Sequence, residues 1–524
     1  MAITSIFPSG NSGKKINDAV ITLVSNNFVY DGIKKTQQVS SVVLNGTTLT
    51  QNVDYVVVGN RATNAGTYML SVLGAGHYTG TASSSWNIAK AQGSIEVDTN
   101  SMTIQGEGTE ETAEFSVVGD GTVTVSSSDS SVAVARIEEN RVYVECVGSG
   151  EANITVVLGE GNNYLGASCE IAVSCSTVHI YGVSWDKSSS TVLTRTDDAA
   201  LFTDPNPAIN NGTGSSPFDN ILPWSGMVKE TIDGNTMVKI PKFWYKWTDE
   251  NGALKLQIAD GPLDGFHVSP AHADRGDGKG ERDYVYVGRY HCASDYKSKT
   301  GASPKVSITR ATARSGIQAL GTGYYMFDYA MWWTINMLYL VEFADWDCQK
   351  AIGYGCGGGT VRNTGNSDGM TYHTGTRQSS RTTYGVGVQY RWIEDLWANV
   401  FDWMDGIRFN NRAVYAYIKP SEYGNCESSG GTQVFSTSAD LSGCISDYKV
   451  PTVSGLEWAL FPSKVTGSDY TVYVADYCYL SSDSVVAFVG GYFNQFRYYG
   501  LFHVGRSSAS ASDGSIGARL QYLP

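Results

Sequence analysis

Residues 484–520 read SVVAFVGGYFNQFRYYGLFHVGRSSASASDGSIGARL. Gly490, Gly491 and Gly500 punctuate the stretch, and glycine turns a chain tightly because it accepts positive φ. Between them stand Tyr492, Phe493, Asn494, Phe496, Arg497, Tyr498 and Tyr499. A strand buried on one face would alternate apolar with polar residues, and one buried on both would be aliphatic. This run does neither. It mixes aromatic rings with Arg and Asn, the composition of a binding surface. Tyr and Phe give wide contact at low entropic cost, and Arg adds ionic and cation–π reach. The competing reading places the rings in the core of the last strands, with Phe493 and Phe502 the first candidates.

Composition agrees with a β-rich, loop-rich molecule. The chain has 524 residues, is 42% hydrophobic and only 17% charged, and contains 58 Gly and 32 Tyr. At roughly 100–200 residues per domain this predicts three or four domains. A net charge of −14 argues against a phosphate-binding surface, so no nucleic-acid partner is expected. No apolar run approaches the ~20 residues of a membrane span, so no membrane insertion is expected. The opening MAITSIFPSGNSGKK lacks the order of a secretory signal, which predicts a cytosolic protein or one released by lysis. Nine cysteines are an odd number without any CxxC spacing. Free thiols are expected, the alternatives being bridges from Cys146 to Cys169 or Cys175 and from Cys426 to Cys444.

Residues 16–91 read as short alternating strands between turn signals. The motifs 30–32 (YDG), 54–55 (DY), 64–68 (NAGTY), 78–81 (YTGT) and 86–91 (WNIAKA) resemble bacterial Ig-like modules that carry a YDG motif. Residues 92–177, through 123–158 (VTVSSSDSSVAVARIEENRVYVECVGSGEANITVVL), resemble the bacterial group-2 Ig repeat. Both resemblances imply β-sandwiches that act as spacers. After an N-terminal segment 1–15, the predicted domains are thus 16–91, 92–177 and a head over 178–524. In the head, 325–351 is predicted as one helix, with Met331, Ile335, Leu338 and Val341 at helical spacing and a stop at Gly353. A shorter helix is placed within or just before 316–322.

Catalytic and metal motifs are weak. The seven histidines show neither HExxH nor a pair suited to zinc. The glycine-rich run 353–359 (GYGCGGG) follows a helix instead of opening one, and reads as a loop. Asp274, Asp277 and Glu281 invite calcium, but basic residues interrupt them and a solvated loop is the preferred reading. No catalytic residue, no metal ligand and no cofactor are therefore expected, a structural calcium being the alternative. Residues 390–406 (YRWIEDLWANVFDWMDG) resemble the core of the C-type-lectin-fold branch that includes formylglycine-generating enzymes. Ala398 and Asp402 stand where that branch has glycine and glutamate. Trp397, Val400 and Trp403 are expected as core under long loops. The branch's catalytic cysteine pair has no counterpart here, so the resemblance implies the fold and not the activity.

The frame Gly490-Gly491, Gly500-Leu501-Phe502 and 516–520 (IGARL) resembles the variable region of proteins diversified by retroelements. Upstream, 180–185 (IYGVSW), 237–245 (MVKIPKFWY), 265–271 (GFHVSPA) and 286–290 (YVGRY) resemble phage tail-fibre receptor-binding proteins. The resemblance implies a hypervariable segment at about 481–515. Mutated AAC or AAT codons never yield Trp, Lys, Glu, Met or Gln, and this window contains none of the first four; Gln495 is the departure. It implies a mainly β chain with an α+β head: two Ig-like sandwiches, then a C-type-lectin-like domain. The expected ligand-binding face is Tyr492, Asn494, Phe496, Arg497, Tyr498, Tyr499, His503, Gly505, Arg506, Ser508, Ser510 and Asp513. The expected scaffold frame is Gly490, Gly491, Gly500, Ile516, Gly517 and Arg519. The implied function is a tail-fibre adhesin of the virion that binds a host cell-surface receptor, protein or glycan. It is expected as a homotrimer joined to other tail proteins through its N-terminus. The alternatives are a bacterial surface adhesin of the same variable class and, behind it, a formylglycine-generating-type enzyme.

Overall fold

The computed structural model describes residues 13–467, 469–494 and 497–524. Regular structure is mainly β. The chain separates into two compact units, one running to Thr177 and one from Val178 to Pro524.

The first unit contains two sandwiches. In one, Phe28–Val29, Thr81–Ala89, Gly66–Gly74 and Tyr55–Val58 form a sheet, and Val20–Leu23, Val39–Leu44 and Thr47–Thr48 form another. Thr81–Ala89 shows the period-two logic. Ala82, Trp86 and Ile88 are buried while Ser83, Ser85 and Asn87 face water. Their core partners Val42, Leu44, Leu70 and Val72 come from both sheets. The YDG motif is a tight turn, with Gly32 at φ +77° and the Asp31 carboxylate accepting the Ile33 amide at 2.9 Å. In the second sandwich the order Ser94–Val97, Glu110–Val118, Arg141–Cys146, Ala133–Glu138 faces the order Ser101–Gln105, Ala167–Ser176, Gly150–Leu158, Val123–Ser127. Val142, Val144, Ile154, Val156 and Ile171 fill the space between. A joint links the two sandwiches: Leu165 N donates to Ala91 O (2.8 Å), Ala65 N to Asn163 Oδ1 (3.0 Å), and Lys90 pairs with Glu160. All nine cysteines are unpaired.

In the second unit the helix Tyr329–Phe343 is buried at every one of its 15 positions. The helical spacing of Met331, Ile335, Leu338 and Val341 belongs to a helix that is enclosed on all sides. It packs on the strands Ile180–Trp185 and Ala253–Ala259. The single helix expected over 325–351 is broken. Tyr324–Met326 is a strand, the Asp328 side chain caps the helix by accepting Met331 N (2.8 Å), and Ala344 ends it in the left-handed conformation at φ 51°. A separate turn, Cys348–Ala351, follows under its own Asp347 cap. The breaks fall where aspartates interrupt the apolar run, at Asp328 before the helix and at Asp345 and Asp347 after it. The shorter helix is Arg310–Gln318, capped by Thr309.

A seven-stranded sheet carries the region quoted first. Its order is Phe461–Thr466, Leu441–Lys449, Tyr477–Leu480, Val504–Ser507, Val486–Val489, Phe401–Met404 and Ile516–Gly517. Trp397, Val400 and Trp403 are buried as expected, and the indoles of Trp397 and Trp403 donate to Gly353 O (3.0 Å) and Ile308 O (2.8 Å). The terminal strand Leu520–Tyr522 leaves this sheet and pairs with Tyr284–Gly288 and Tyr324–Met326 in another.

Candidate ligand-binding face

The frame residues Gly490, Gly491, Gly500, Ile516, Gly517 and Arg519 are all buried. Gly491 has no room for a side chain, since a Cβ there would strike Trp397 O and Tyr499 O. A Cβ on Gly500 would sit 2.6 Å from the Asp476 carboxylate. Arg519 is the tie-bar. Its Nη1 donates to Gly288 O (2.9 Å) and Arg289 O (3.0 Å), its Nη2 to Glu394 O (2.8 Å), and its Nε to Asp402 Oδ2 (3.1 Å). One planar fork thus fastens three separate segments of chain.

Between these anchors the loop is held by its main chain. Asp476 accepts the amides of Gly500 (2.6 Å) and Phe502 (2.8 Å), Tyr477 N donates to Tyr498 O (2.9 Å), and Phe493 N donates to Asn399 O (2.9 Å). Burial drives the Asp476 carboxyl up to about 8, against the pull of those two amides.

Of the twelve expected face residues, Asn494, Arg497, Ser508, Ser510 and Asp513 are exposed, and Tyr498 and Arg506 are half-buried. Tyr492 and Tyr499 are half-buried and lean inward, their rings 4.8 and 5.6 Å from the Phe401 ring. Phe496 lies outside the described residues. Two assignments need correction. His503 is buried, with its Nδ1 2.8 Å from Gly490 O, so it supports the Gly490 turn instead of facing a ligand. Gly505 is buried under the Phe488 ring in the strand Val504–Ser507. Both lie in the run Leu501 to Gly505, which is buried at every position as the chain re-enters the sheet. Phe493 is half-buried and Phe502 fully buried.

The buried His503 carries a pH signature. Burial pushes its imidazole down to about 3, while the unfolded value is about 6.5. The unfolded chain therefore binds the proton first, and the stability that the neutral ring supplies is lost as pH falls from about 6.5 toward 3. Buried Asp476 has the opposite dependence, so the effect is read as a difference. The Tm gap between the natural chain and His503→Gln should shrink on acidification from pH 7.5 to 4.5; a gap constant with pH would overturn the assignment.

The sequence reading missed five tyrosines outside the segment. Tyr354 and Tyr384 stack at 4.6 Å, and the Arg497 guanidinium lies 5.6 Å from the Tyr354 ring and 5.3 Å from the Tyr470 ring. Tyr470 packs edge-on against Tyr498 at 5.2 Å. Next to them a cleft of about 290 Å³ is bounded by Asp347, Lys350, Tyr354, Tyr470 and Arg497. Arg506 lies over Tyr479 at 4.6 Å and pairs with Asp483 at 3.3 Å. Tyr477 links the two groups, stacking on Tyr479 while its amide holds Tyr498 O. Tyr354 belongs to the glycine-rich run 353–359, where the glycine count drew attention away from the ring.

Two of the three carboxylates considered for calcium are otherwise engaged. Asp274 accepts Gly276 N at 2.8 Å, Asp277 pairs with Arg282, and no group of three potential metal ligands occurs among the described residues.

No family model and no curated protein matches the sequence. Among solved structures, similarity is found to S-layer protein SbsC domains 4 and 5, with 17% identity over 30% of this chain and 98% of that one, at a TM-score of 0.17. The titin I-band fragment I67–I69 has 12% identity over 47% of this chain and 88% of that one, at 0.18. A SusE-like surface-located polysaccharide-binding protein from Bacteroides thetaiotaomicron has 11% identity over 44% of this chain and 43% of that one, at 0.15. These scores lie below those of a shared fold.

Proposed function

We propose that the chain is a phage tail-fibre adhesin whose head binds a host cell-surface receptor through the Tyr- and Arg-rich loop 492–499 and the neighbouring Arg506–Asp513 segment. In this reading the head has the C-type-lectin-like fold of retroelement-diversified proteins, and the two N-terminal sandwiches are Ig-like spacers. The protein is a virion component, a homotrimer attached to other tail proteins through its N-terminus, and it acts by binding and not by catalysis.

One observation carries the reading. Arg497 is exposed and Tyr498 half-exposed on a loop fixed through backbone groups, and both present surface to solvent while resting beside Tyr354 and Tyr470. Exposed Tyr and Arg side by side are the residues on which binding energy concentrates. Arg497→Ala and Tyr498→Ala should each weaken attachment to host cells by roughly tenfold or more, equivalent to about 1.4 kcal/mol. The melting temperature of each variant should stay within about 2 °C of the natural chain, the size of shift an exposed substitution produces. Undiminished attachment of both variants would remove the site.

A further inference from the structure

The second sandwich of the first unit turns two thiols toward each other. Along Arg141–Cys146 the residues Val142, Val144 and Cys146 are buried, and along Ala167–Ser176 the residues Ile171, Val173 and Cys175 are buried. Period two thus points both cysteines into the space between the sheets. Their strands belong to opposite sheets, and the turn 106–109 ties the strand ends together. Gly106 N donates to Ser176 O (2.8 Å), Cys146 N donates to Thr109 O (2.9 Å), and Gly108 N donates to Cys146 O (2.8 Å). The chain therefore crosses from one sheet to the other beside both cysteines, and the two thiols are hydrogen-bonding neighbours. Cys169 lies on the same strand as Cys175 and six residues earlier, which at about 3.3 Å per residue places it about 20 Å away. The register thus singles out Cys146 and Cys175 as a pair.

We propose that Cys146 and Cys175 form a disulfide across this sandwich once the chain leaves a reducing compartment, the oxidant being a small-molecule disulfide such as oxidised glutathione. Cys175, 4% exposed against 0% for Cys146, is the less enclosed of the two and attacks first as its thiolate. A mixed disulfide forms and one glutathione thiolate leaves. The Cys146 thiolate then attacks the Cys175 sulfur and expels the second glutathione thiolate. Two protein S–H bonds are replaced by one S–S bond, the oxidant is reduced to two thiols, and the two protons pass to them. Burial, reinforced by the neighbouring Cys146, pushes the Cys175 thiol up to about 12, so the thiolate is scarce at neutral pH. The rate should therefore climb about tenfold per pH unit between pH 7 and 9. The bond staples the first unit chiefly by restricting its unfolded chain, and it stands or falls independently of what the second unit binds.

The test prepares the full-length chain in dithiothreitol, moves it into oxidised glutathione well below its melting temperature, alkylates it in denaturant and digests it after glutamate. Glu145, Glu151, Glu160 and Glu170 lie around and between the cysteines, so Cys146, Cys169 and Cys175 fall on separate peptides. Mass spectrometry should find the peptides of Cys146 and Cys175 joined and two hydrogens lighter, with Cys169 outside the bridge. The melting transition of the first unit should rise by roughly 10 °C on oxidation and fall back in dithiothreitol, as a bridge over a loop of this length implies. In Cys175→Ala the oxidised and reduced melting temperatures should coincide. The bridge is mapped in the natural chain, so the mapping decides the matter if Cys175→Ala fails to fold. Glutathione or alkyl groups left on Cys146 and Cys175, a bridge from either to another cysteine, or a bridge that leaves the melting temperature unchanged would each overturn the proposal.

Discussion

Arg519→Ala should abolish the folded head. Arg519 is fully buried, and its removal leaves Asp402 as a buried carboxylate and strips donors from Gly288 O, Arg289 O and Glu394 O. Breaking a buried ion pair costs about 3–5 kcal/mol, and each orphaned carbonyl adds about 1–3 kcal/mol. Together these match the whole stability of a typical domain, about 5–15 kcal/mol. Arg519→Lys should recover little, because one ammonium cannot reach three segments at once. Ile516→Asp should act similarly: Ile516 is 5% exposed, and a carboxylate in its place would be buried without a partner. Denaturant titration of the full chain checks this. The transition of the first unit should persist while that of the second disappears, and a loss below about 1 kcal/mol would show that the frame is held by other contacts.

Asp476→Ala should cancel receptor binding without touching a residue of the face. It frees the amides of Gly500 and Phe502, both buried, at about 1–3 kcal/mol each. The loop then loses its floor, and attachment should fall further than for Arg497→Ala alone. The carboxyl also has a pH signature. With a folded value of about 8 against about 3.9 unfolded, the folded chain keeps a proton that the unfolded chain has released. The stability from this group is complete below about pH 4 and is lost as pH rises through about 8. Asp476→Asn, which is neutral at every pH, should therefore gain on the natural chain between pH 5 and 9 in thermal melts. A stability difference independent of pH would exclude a protonated Asp476.

Much of this was legible in the sequence where side-chain periodicity and glycine placement act locally. The alternation around Trp86, the burial of Trp397 and Trp403 and the buried glycine frame follow from short-range rules. What failed depended on distant partners. His503 reads as a paratope residue until the Gly490 carbonyl is seen beneath it. The break at Ala344 depends on neighbours such as Thr191, whose carbonyl accepts the Trp346 amide from far upstream in the sequence. Tyr354, Tyr384 and Tyr470 meet Arg497 only through folding, and no spacing rule connects them.

The backbone mooring of the loop sets the terms on which it can be rewritten. At Asn494, Arg497, Tyr498 and Tyr499 no amide donates to a backbone acceptor among the described residues, and the grip on this stretch is the Tyr498 carbonyl, which every amino acid possesses. Considered as a library, Asn494, Arg497 and Tyr498 therefore place little cost on their alphabet, while Tyr499 is bound by its packing on Phe401 and His503: a random draw at the three changes what is displayed while the platform survives. The intolerant letter is proline at 493, where the amide to Asn399 would be lost. Under the proposed function, a lineage of such heads would accumulate new specificities with few dead members, its failures being clones that bind nothing and not clones that cannot fold.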